Sequence, residues 1–308
     1  MTGSATARPE NILRGVVLVI AAAFTISAQD VVFKLFSREL TLWQIFALRG
    51  LIALPLLLIL LRMWGAHQGV LRIAFGKWPL LRGVFITTTF LAFYAAIPFL
   101  SLSTVGAANY IAPIFVALLS AYAIREPVGT LGWLGVLLGF VGVIVLLRPG
   151  TDAFSFWSLL PLVGAAFYAL AHITTRVKCQ NTPASAIALS QNFIMMSAGV
   201  IVSALLVWVR PPDDLIQEYP YIFGLWSEVG VAEGLVLLAL AGFSILISVL
   251  LAGAYQAAPP AIISTFEYSY LVFVAIWDIL VFGIAPTVWS VTGMLLIVCA
   301  GLLVLRRK

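Results

Sequence analysis

Charge is what this chain lacks. Asp, Glu, Lys and Arg together make up 9% of its 308 residues, where a soluble domain carries about 25%. A chain this poor in charge and 63% hydrophobic has too little polar surface to face water all round, which excludes a soluble globular domain. Histidine and cysteine are equally sparse, at two each. Cys179 and Cys299 lie far apart with no metal-ligand spacing, so neither a disulfide framework nor a metal site is implied. His67 and His172 fall in a loop and towards the end of an expected span. No P-loop, G-x-S-x-G or HExxH motif occurs, which removes ATP-driven pumping and the commoner hydrolase chemistries. No catalytic residue, cofactor or metal is expected. The net charge of +5 does not point to nucleic acid, because the basic residues are scattered through short loops with no DNA- or RNA-binding pattern around them.

What fills the chain instead is long apolar stretches. A membrane-spanning helix needs about 20 largely apolar residues, and ten segments qualify: 12–34, 40–61, 79–99, 104–124, 131–147, 155–174, 183–209, 231–256, 260–282 and 286–305. The opening MTGSATARPENILRG before VVLVIAAAFTISA has the outline of a secretory signal, but its counterpart later in the chain argues for a resident span. Most connections are very short, such as 125–130 and 283–286, and leave no room for a soluble domain. Lys and Arg divide unevenly between the two sides. Arg8, Arg14, Arg62, Arg72, Lys77, Arg82, Arg125, Arg176, Lys178, Arg306, Arg307 and Lys308 fall on one, and Lys34, Arg38, Arg148 and Arg210 on the other. The positive-inside rule then puts both termini in the cytoplasm of an inner, multi-pass membrane protein.

The chain also repeats. GVLLGFVGVIVLLRP, ending at Pro149, pairs at an offset of 158 with GMLLIVCAGLLVLRR, ending at Arg307, so that Gly135 meets Gly293. The same offset sets Asn109 against Glu267, Tyr110 against Tyr268 and Phe115 against Phe273. Earlier, an offset of 143 sets Ala22–Phe24 against Ala165–Phe167, Gln29 against His172 and Arg49 against Asn192. The change of offset implies an insertion in the second half, placed around 210–230. Five spans per half is an odd number, so the halves must be inverted. Inverted repeats commonly build secondary transporters with a midplane site at the repeat interface. The expected architecture is therefore all-α and integral to the membrane, with ten helices in two inverted five-helix repeats, 12–147 and 155–305.

Two ionisable residues, Arg49 and Glu267, stand deep in their spans. A charge in hydrocarbon costs roughly 2.5–3.5 kcal/mol on insertion scales, so each is a site candidate. From the expected ends of their helices, at 1.5 Å per residue, they lie at similar depth and have room to meet, directly or across a substrate. Structural pairing between helices is the alternative role for Arg49. Glu267 shares a helical stripe with Ser264, Tyr268, Leu271 and Asp278, which suggests a polar route with Glu267 and Asp278 as candidates for proton or ion coupling. Solvation at the outer interface is the plainer reading of Asp278. Tyr94, Tyr110 and Tyr268 offer faces for a planar or cationic substrate, and Asn109 and Asn192 are the repeat mates of Glu267 and Arg49. His172 reads as a residue of the cytoplasmic end. Pro113 and Pro161 read as helix interruptions, and Pro55, Pro259 and Pro260 as hinges. The small-residue stripe Gly132, Gly135, Gly139 and Gly142 suits close helix packing within the first half, or a dimer interface.

APIFVALLSAYAIREPVGTLGWLGVLLGFVGVIVLL and FEYSYLVFVAIWDILVFGIAPTVWSVTGMLLIVCAGLLVL resemble the paired endings of the drug/metabolite transporter superfamily, EamA type, over about residues 12–305. Glu126 matches that family's acidic residue before the loop, and Ile284 replaces it in the second copy. QAAPPAIISTFEYSYLVF is most similar to members grouped with S-adenosylmethionine and riboflavin transporters. The resemblance implies alternating-access transport of a small polar or amphipathic metabolite, either proton-coupled or facilitative. An amino-acid-like, S-adenosylmethionine-like or riboflavin-like compound would be carried across the lipid bilayer by a monomer or homodimer. A channel, a lipid-modifying membrane enzyme and a non-transporting scaffold are the rival readings. A channel would want a filter loop or charged rings, and an enzyme would want convergent acids or histidines near one interface.

Overall fold

The computed structural model describes residues 11–36, 40–63, 65, 69–96, 100, 110–148, 157, 159–283 and 287–305. Among them the regular structure is entirely helical. The elements are α1 (Ile12–Phe36), α2 (Leu42–Met63), α3 (Val70–Ala74), α4 (Lys77–Ala96), α5 (Ala112–Leu118), α6 (Gly129–Leu147), α7 (Leu159–Lys178), α8 (Ala184–Val209), α9 (Asp213–Glu218), α10 (Pro220–Phe223), α11 (Val231–Ala257), α12 (Pro260–Glu267), α13 (Ser269–Phe282) and α14 (Val288–Leu305). Eight segments are long and apolar enough to cross a membrane, with α12 and α13 counted as one. α4, and α5 with the π-helical turn Leu119–Ala123 that continues it, stand where the third and fourth spans are expected.

In lipid every backbone N–H and C=O must be satisfied within the protein, which is why apolar runs of this length become helices. The helices are inside out by the standard of a soluble bundle. On α14 the face turned inward carries Gly293, Ile297, Ala300, Gly301 and Val304, while Leu295, Val298 and Leu302 stand exposed on the other side. Apolar tails are an acceptable solvent for those leucines, so what holds the bundle together is close approach of small residues. Gly50 of α2 rests on Met196 of α8, and Gly199 of α8 rests on Trp43, Phe46 and Ala47 of α2.

The glycine stripe of α6 does not serve packing within its own half. Gly135 abuts Ala300 and Val304 of α14, Gly139 lies against the Tyr268 ring, and Gly142 faces Gly293. Gly293 in turn abuts Gly142 and Leu146. Adding 158 to 135, 142 and 146 gives 293, 300 and 304, so the two glycines meet matching partners. Small side chains at these points were selected by an interhelical contact, which spacing along one helix cannot reveal.

Proline behaves differently from the sequence expectation as well. Pro113 and Pro161 interrupt nothing: each sits in the first turn of its helix, α5 and α7, where the missing N–H is one that the helix leaves unbonded anyway. Pro55 lies inside an unbroken α2. Pro259 and Pro260 start α12. A local departure from regular helix in the ninth span falls at Tyr268, a turn between α12 and α13 that keeps helical dihedrals and contains no proline. A turn at Tyr110–Ile111 precedes α5, at the position 158 residues earlier. Tyr268 donates its hydroxyl proton to the Tyr110 carbonyl at 3.2 Å.

Residues 213–223 form the two short helices α9 and α10. They are tied to the start of α2 by the Trp43 indole N–H on the Ile222 carbonyl at 2.7 Å and by the Gln44 amide on the Ser227 carbonyl at 2.7 Å. The opposite end of the bundle is tied as well. Gln256 donates to the carbonyls of Cys179 and Thr182 at 2.6 and 2.8 Å, Gln180 donates to the Gln256 carbonyl at 2.7 Å, and Arg176 pairs with Glu126 at 2.8 Å.

A methyl group at Gly293 would lie 2.6 Å from the Gly142 carbonyl oxygen, a contact with backbone that has nowhere to move. Gly293→Ala should therefore destabilise the purified protein by about 1–3 kcal/mol. Gly242→Ala, where nothing lies within 4 Å, should be neutral or slightly stabilising. Thermal unfolding of both variants in detergent checks the contrast.

Candidate substrate site

The site is built around the junction of α12 and α13. Glu267 is the last residue of α12, in the middle of the span formed by the two helices. Its Oε1 accepts hydrogen bonds from the Tyr168 hydroxyl of α7 at 2.8 Å and the Tyr255 hydroxyl of α11 at 2.9 Å. Oε2 has no hydrogen-bond partner among the described residues. One oxygen is thus anchored by two donors, and the other retains its lone pairs. Hydrogen bonds to a charged group contribute about 1.5–3 kcal/mol each, enough to offset a substantial part of the cost of holding a carboxylate in this setting.

His172 clamps the two tyrosines. Its ring stacks on Tyr255 at 4.0 Å between centroids, 25° from parallel, and meets Tyr168 at 4.3 Å. The sequence places His172 at a solvated helix end. The structure buries it completely, at 0% exposure, with neither ring nitrogen bonded to any described residue. The reason is the face it occupies: Tyr168, His172 and Thr175 follow one another at spacings of four and three on the buried side of α7, and that side carries the polar groups.

Arg49 of α2 is part-buried. It donates from Nη2 to the Met195 sulfur at 3.4 Å and lies 5.6 Å from the Phe46 ring centroid, in cation–π geometry. Asn192 is 1% exposed; its amide donates to the Ala188 carbonyl at 2.9 Å and accepts from Ser244 at 2.7 Å, tying α8 to α11. That is a structural use of a residue that the repeat arithmetic offers as a ligand. Tyr268 is likewise fully buried, under Gly139. Tyr110 is half-buried, its ring 6.1 Å from those of Tyr268 and Tyr270. Asn109 and the side chain of Tyr94 lie outside the described residues.

Glu267 and Asp278 meet different partners. Asp278 lines a cleft with Ser27, Asp30 and Val31 of α1 and Tyr270, Val274, Trp277 and Phe282 of α13, whereas Glu267 takes its bonds from α7 and α11. In that cleft Tyr270 donates to Asp30 at 2.5 Å and Trp277 to Ser27 at 3.0 Å. Asp30 is the acid that sequence reasoning passed over. Its signal was a carboxylate inside the first apolar run, four residues before Lys34. Among the described residues no group of three or more His, Cys, Asp or Glu converges as a metal site would require.

Sequence reasoning also misplaced a second arginine. Arg82 was counted with the basic loops, yet it is 1% exposed, the largest fully buried side chain among the described residues. Its Nε donates to Thr175 at 3.0 Å and its Nη1 to the Gln191 side-chain oxygen at 2.5 Å. Lys77 starts α4 and Arg82 stands five residues inside it, far enough for the helix to carry it into the packed interior.

Comparison with known proteins follows the same lines. Residues 13–148 match the EamA-like transporter family. The chain is 25% identical over 298 residues to the pseudopaline exporter of Pseudomonas aeruginosa, covering 96% of each protein. It is 28% identical over 174 residues to a riboflavin transporter of Vibrio cholerae, covering 56% of this chain and 52% of that one. A riboflavin transporter of Brucella anthropi is 25% identical over 204 residues, 66% and 67% of the two chains. A protein of known crystal structure superposes on 97% of this chain and 100% of its own with a TM-score of 0.77 at 16% identity, which speaks to the fold. With eight segments among the described residues apolar and long enough to cross a membrane, the chain is accordingly a multi-pass membrane transporter of a small metabolite, similar over residues 13–148 to the EamA-like transporter family.

Proposed function

We propose that this protein carries a small polar or amphipathic metabolite across the cytoplasmic membrane by alternating access, with Glu267 as the group that holds the cationic part of the substrate or a coupling proton. The single observation behind this is the division of labour on the Glu267 carboxylate. Oε1 is fixed by Tyr168 and Tyr255, and Oε2 has no partner among the described residues. A carboxylate that served only to join helices would have its second oxygen engaged too, because an unmet acceptor in hydrocarbon is costly. Arg49, held by Met195 and Phe46, is the proposed partner for a substrate carboxylate or phosphate. Tyr110 lines the same route, and Tyr268 shapes it from beneath. Asn192 takes the part of a strut. Asp278, with Asp30, is proposed to receive cations at the outer mouth.

The mechanism needs ten spans in two inverted repeats, 12–147 and 155–305, joined about a pseudo-two-fold axis between α6 and α14. The matching glycine contacts and the two turns 158 residues apart support that arrangement. A contact between a residue and its own repeat mate, as Tyr268 makes with Tyr110, is what such an axis produces. The end tied by Gln256 and Arg176 is then the cytoplasmic one, carrying both termini, and α9 and α10 lie outside. The protein is proposed to act without enzymatic chemistry, as a monomer or homodimer.

Substrate can be found by thermal-shift screening over amino acids, nucleosides, cofactors and organic anions, since a ligand that binds only the folded form raises its apparent stability. In proteoliposomes that substrate should show saturable counterflow. Glu267→Gln and Arg49→Ala should each weaken it by a factor of about 10–100, the value of one charged hydrogen bond. Full transport by both folded variants would contradict the assignment. Tyr168→Phe and Tyr255→Phe should each raise KM by a smaller factor, about 3–10-fold, and the double variant should depart from additivity because both hydroxyls act on one oxygen.

A further inference from the structure

Deepening the transport reading, on which it rests, we infer that Arg82, Thr175 and Gln191 form a second substrate station that recognises an oxyanion, the carboxylate or phosphate of the transported metabolite. A guanidinium presents five N–H donors in a planar fork that matches carboxylate and phosphate two bonds at a time. In this structure the fork is buried, and its two partners, the Thr175 hydroxyl and the Gln191 amide oxygen, are both neutral. Nη2 has no partner among the described residues. A strut between α4, α7 and α8 would be served by a neutral amide and would avoid burying an unpaired cation. The geometry is that of a charged site awaiting its counter-ion.

A second buried group points the same way. His172 lies one turn of α7 from Thr175, and its two ring nitrogens are unbonded to described residues. An imidazole always has a donor or an acceptor to offer, so this stretch of the interior holds two polar side chains with unmet capacity. α7 connects the two stations. Tyr168 anchors Glu267 and Thr175 holds Arg82, seven residues apart on one face, or about 10 Å along the helix. A metabolite carrying a cationic group and an oxyanion would engage both in turn. The Arg82 end is sealed in this conformation by the Arg176–Glu126 pair and by the Gln256 bonds to Cys179 and Thr182, which must release for the oxyanion to pass.

The test uses the purified full chain and inorganic phosphate and acetate as probes, each compared with chloride at equal ionic strength. Millimolar phosphate or acetate should raise the Tm of the unaltered protein by about 2–4 °C. Arg82→Gln should abolish that shift, and Thr175→Val should reduce it. Where Arg82→Gln fails to fold, Arg82→Lys carries the test. Lysine keeps the charge but loses the fork, so the concentration needed for half the shift should rise at least about tenfold. No shift in the unaltered protein, or an unchanged shift in a folded Arg82 variant, overturns the inference. The transport reading is scored separately: if Glu267→Gln abolishes counterflow while the Arg82 variants respond to anions as the unaltered chain does, that reading stands and this station falls.

Discussion

Two tyrosine hydroxyls meeting on one carboxylate oxygen organise the centre of this protein. Glu267 sits at the junction of α12 and α13 in the middle of the ninth span, and an acid there must be either satisfied or wet. Tyr168 and Tyr255 satisfy half of it, and in doing so they join α7, α11 and α12 around one point. His172 between their rings removes their freedom to swing away. The constraint then propagates. Beside Glu267, Tyr268 packs beneath Gly139 and bonds the Tyr110 carbonyl, while Asp278 lies apart in the α1 cleft.

Small residues make the rest of the arrangement affordable in lipid. Where apolar side chains gain little by leaving acyl tails, helices are held by how closely their backbones approach. Gly142 against Gly293 is one such contact of backbone on backbone between the two halves. Polar ties close both ends of the bundle, at Trp43 and Gln44 on one and at Gln256 and Arg176 on the other. Under the proposed mechanism, releasing one set while the other holds is the transport cycle. Glu267 and Arg82, held by Tyr168 and Thr175 of α7, are what a substrate would meet in turn.

Much of this could be read from residue types alone. Eight of the expected spans are matched by helices long and apolar enough to cross a membrane, because hydrocarbon thickness sets the number of residues needed. Glu267 stood out by the cost of a charge in such a run, and the role given to it is the proposal above. The register of the repeat followed from GVLLG and GMLLI, and the structure places matching contacts on Gly135 and Gly293. What failed depended on information that a linear pattern does not hold. Arg82 and His172 lie near the ends of their expected spans, and distance along a helix says nothing of which face is covered. The turn at Tyr268 has no proline or glycine to mark it, while Pro113 and Pro161, which look like breaks, only begin helices. Asn192 looked like a ligand because its repeat mate is Arg49, yet the neighbouring Ser244, contributed by another helix, claims it for packing.

The most direct test of the central role given to Glu267 is covalent. A hydrophobic carbodiimide reacts with carboxyl groups that are reachable from the membrane interior, and mass spectrometry locates the adduct. With the intact chain in liposomes, the label should fall on Glu267, be lost in Glu267→Gln, and increase when Tyr168→Phe and Tyr255→Phe release Oε1. A label confined to Asp213, Asp214, Glu218, Glu228 and Glu233, with Glu267 unmodified in every variant, would contradict a substrate-accessible carboxylate at the α12–α13 junction.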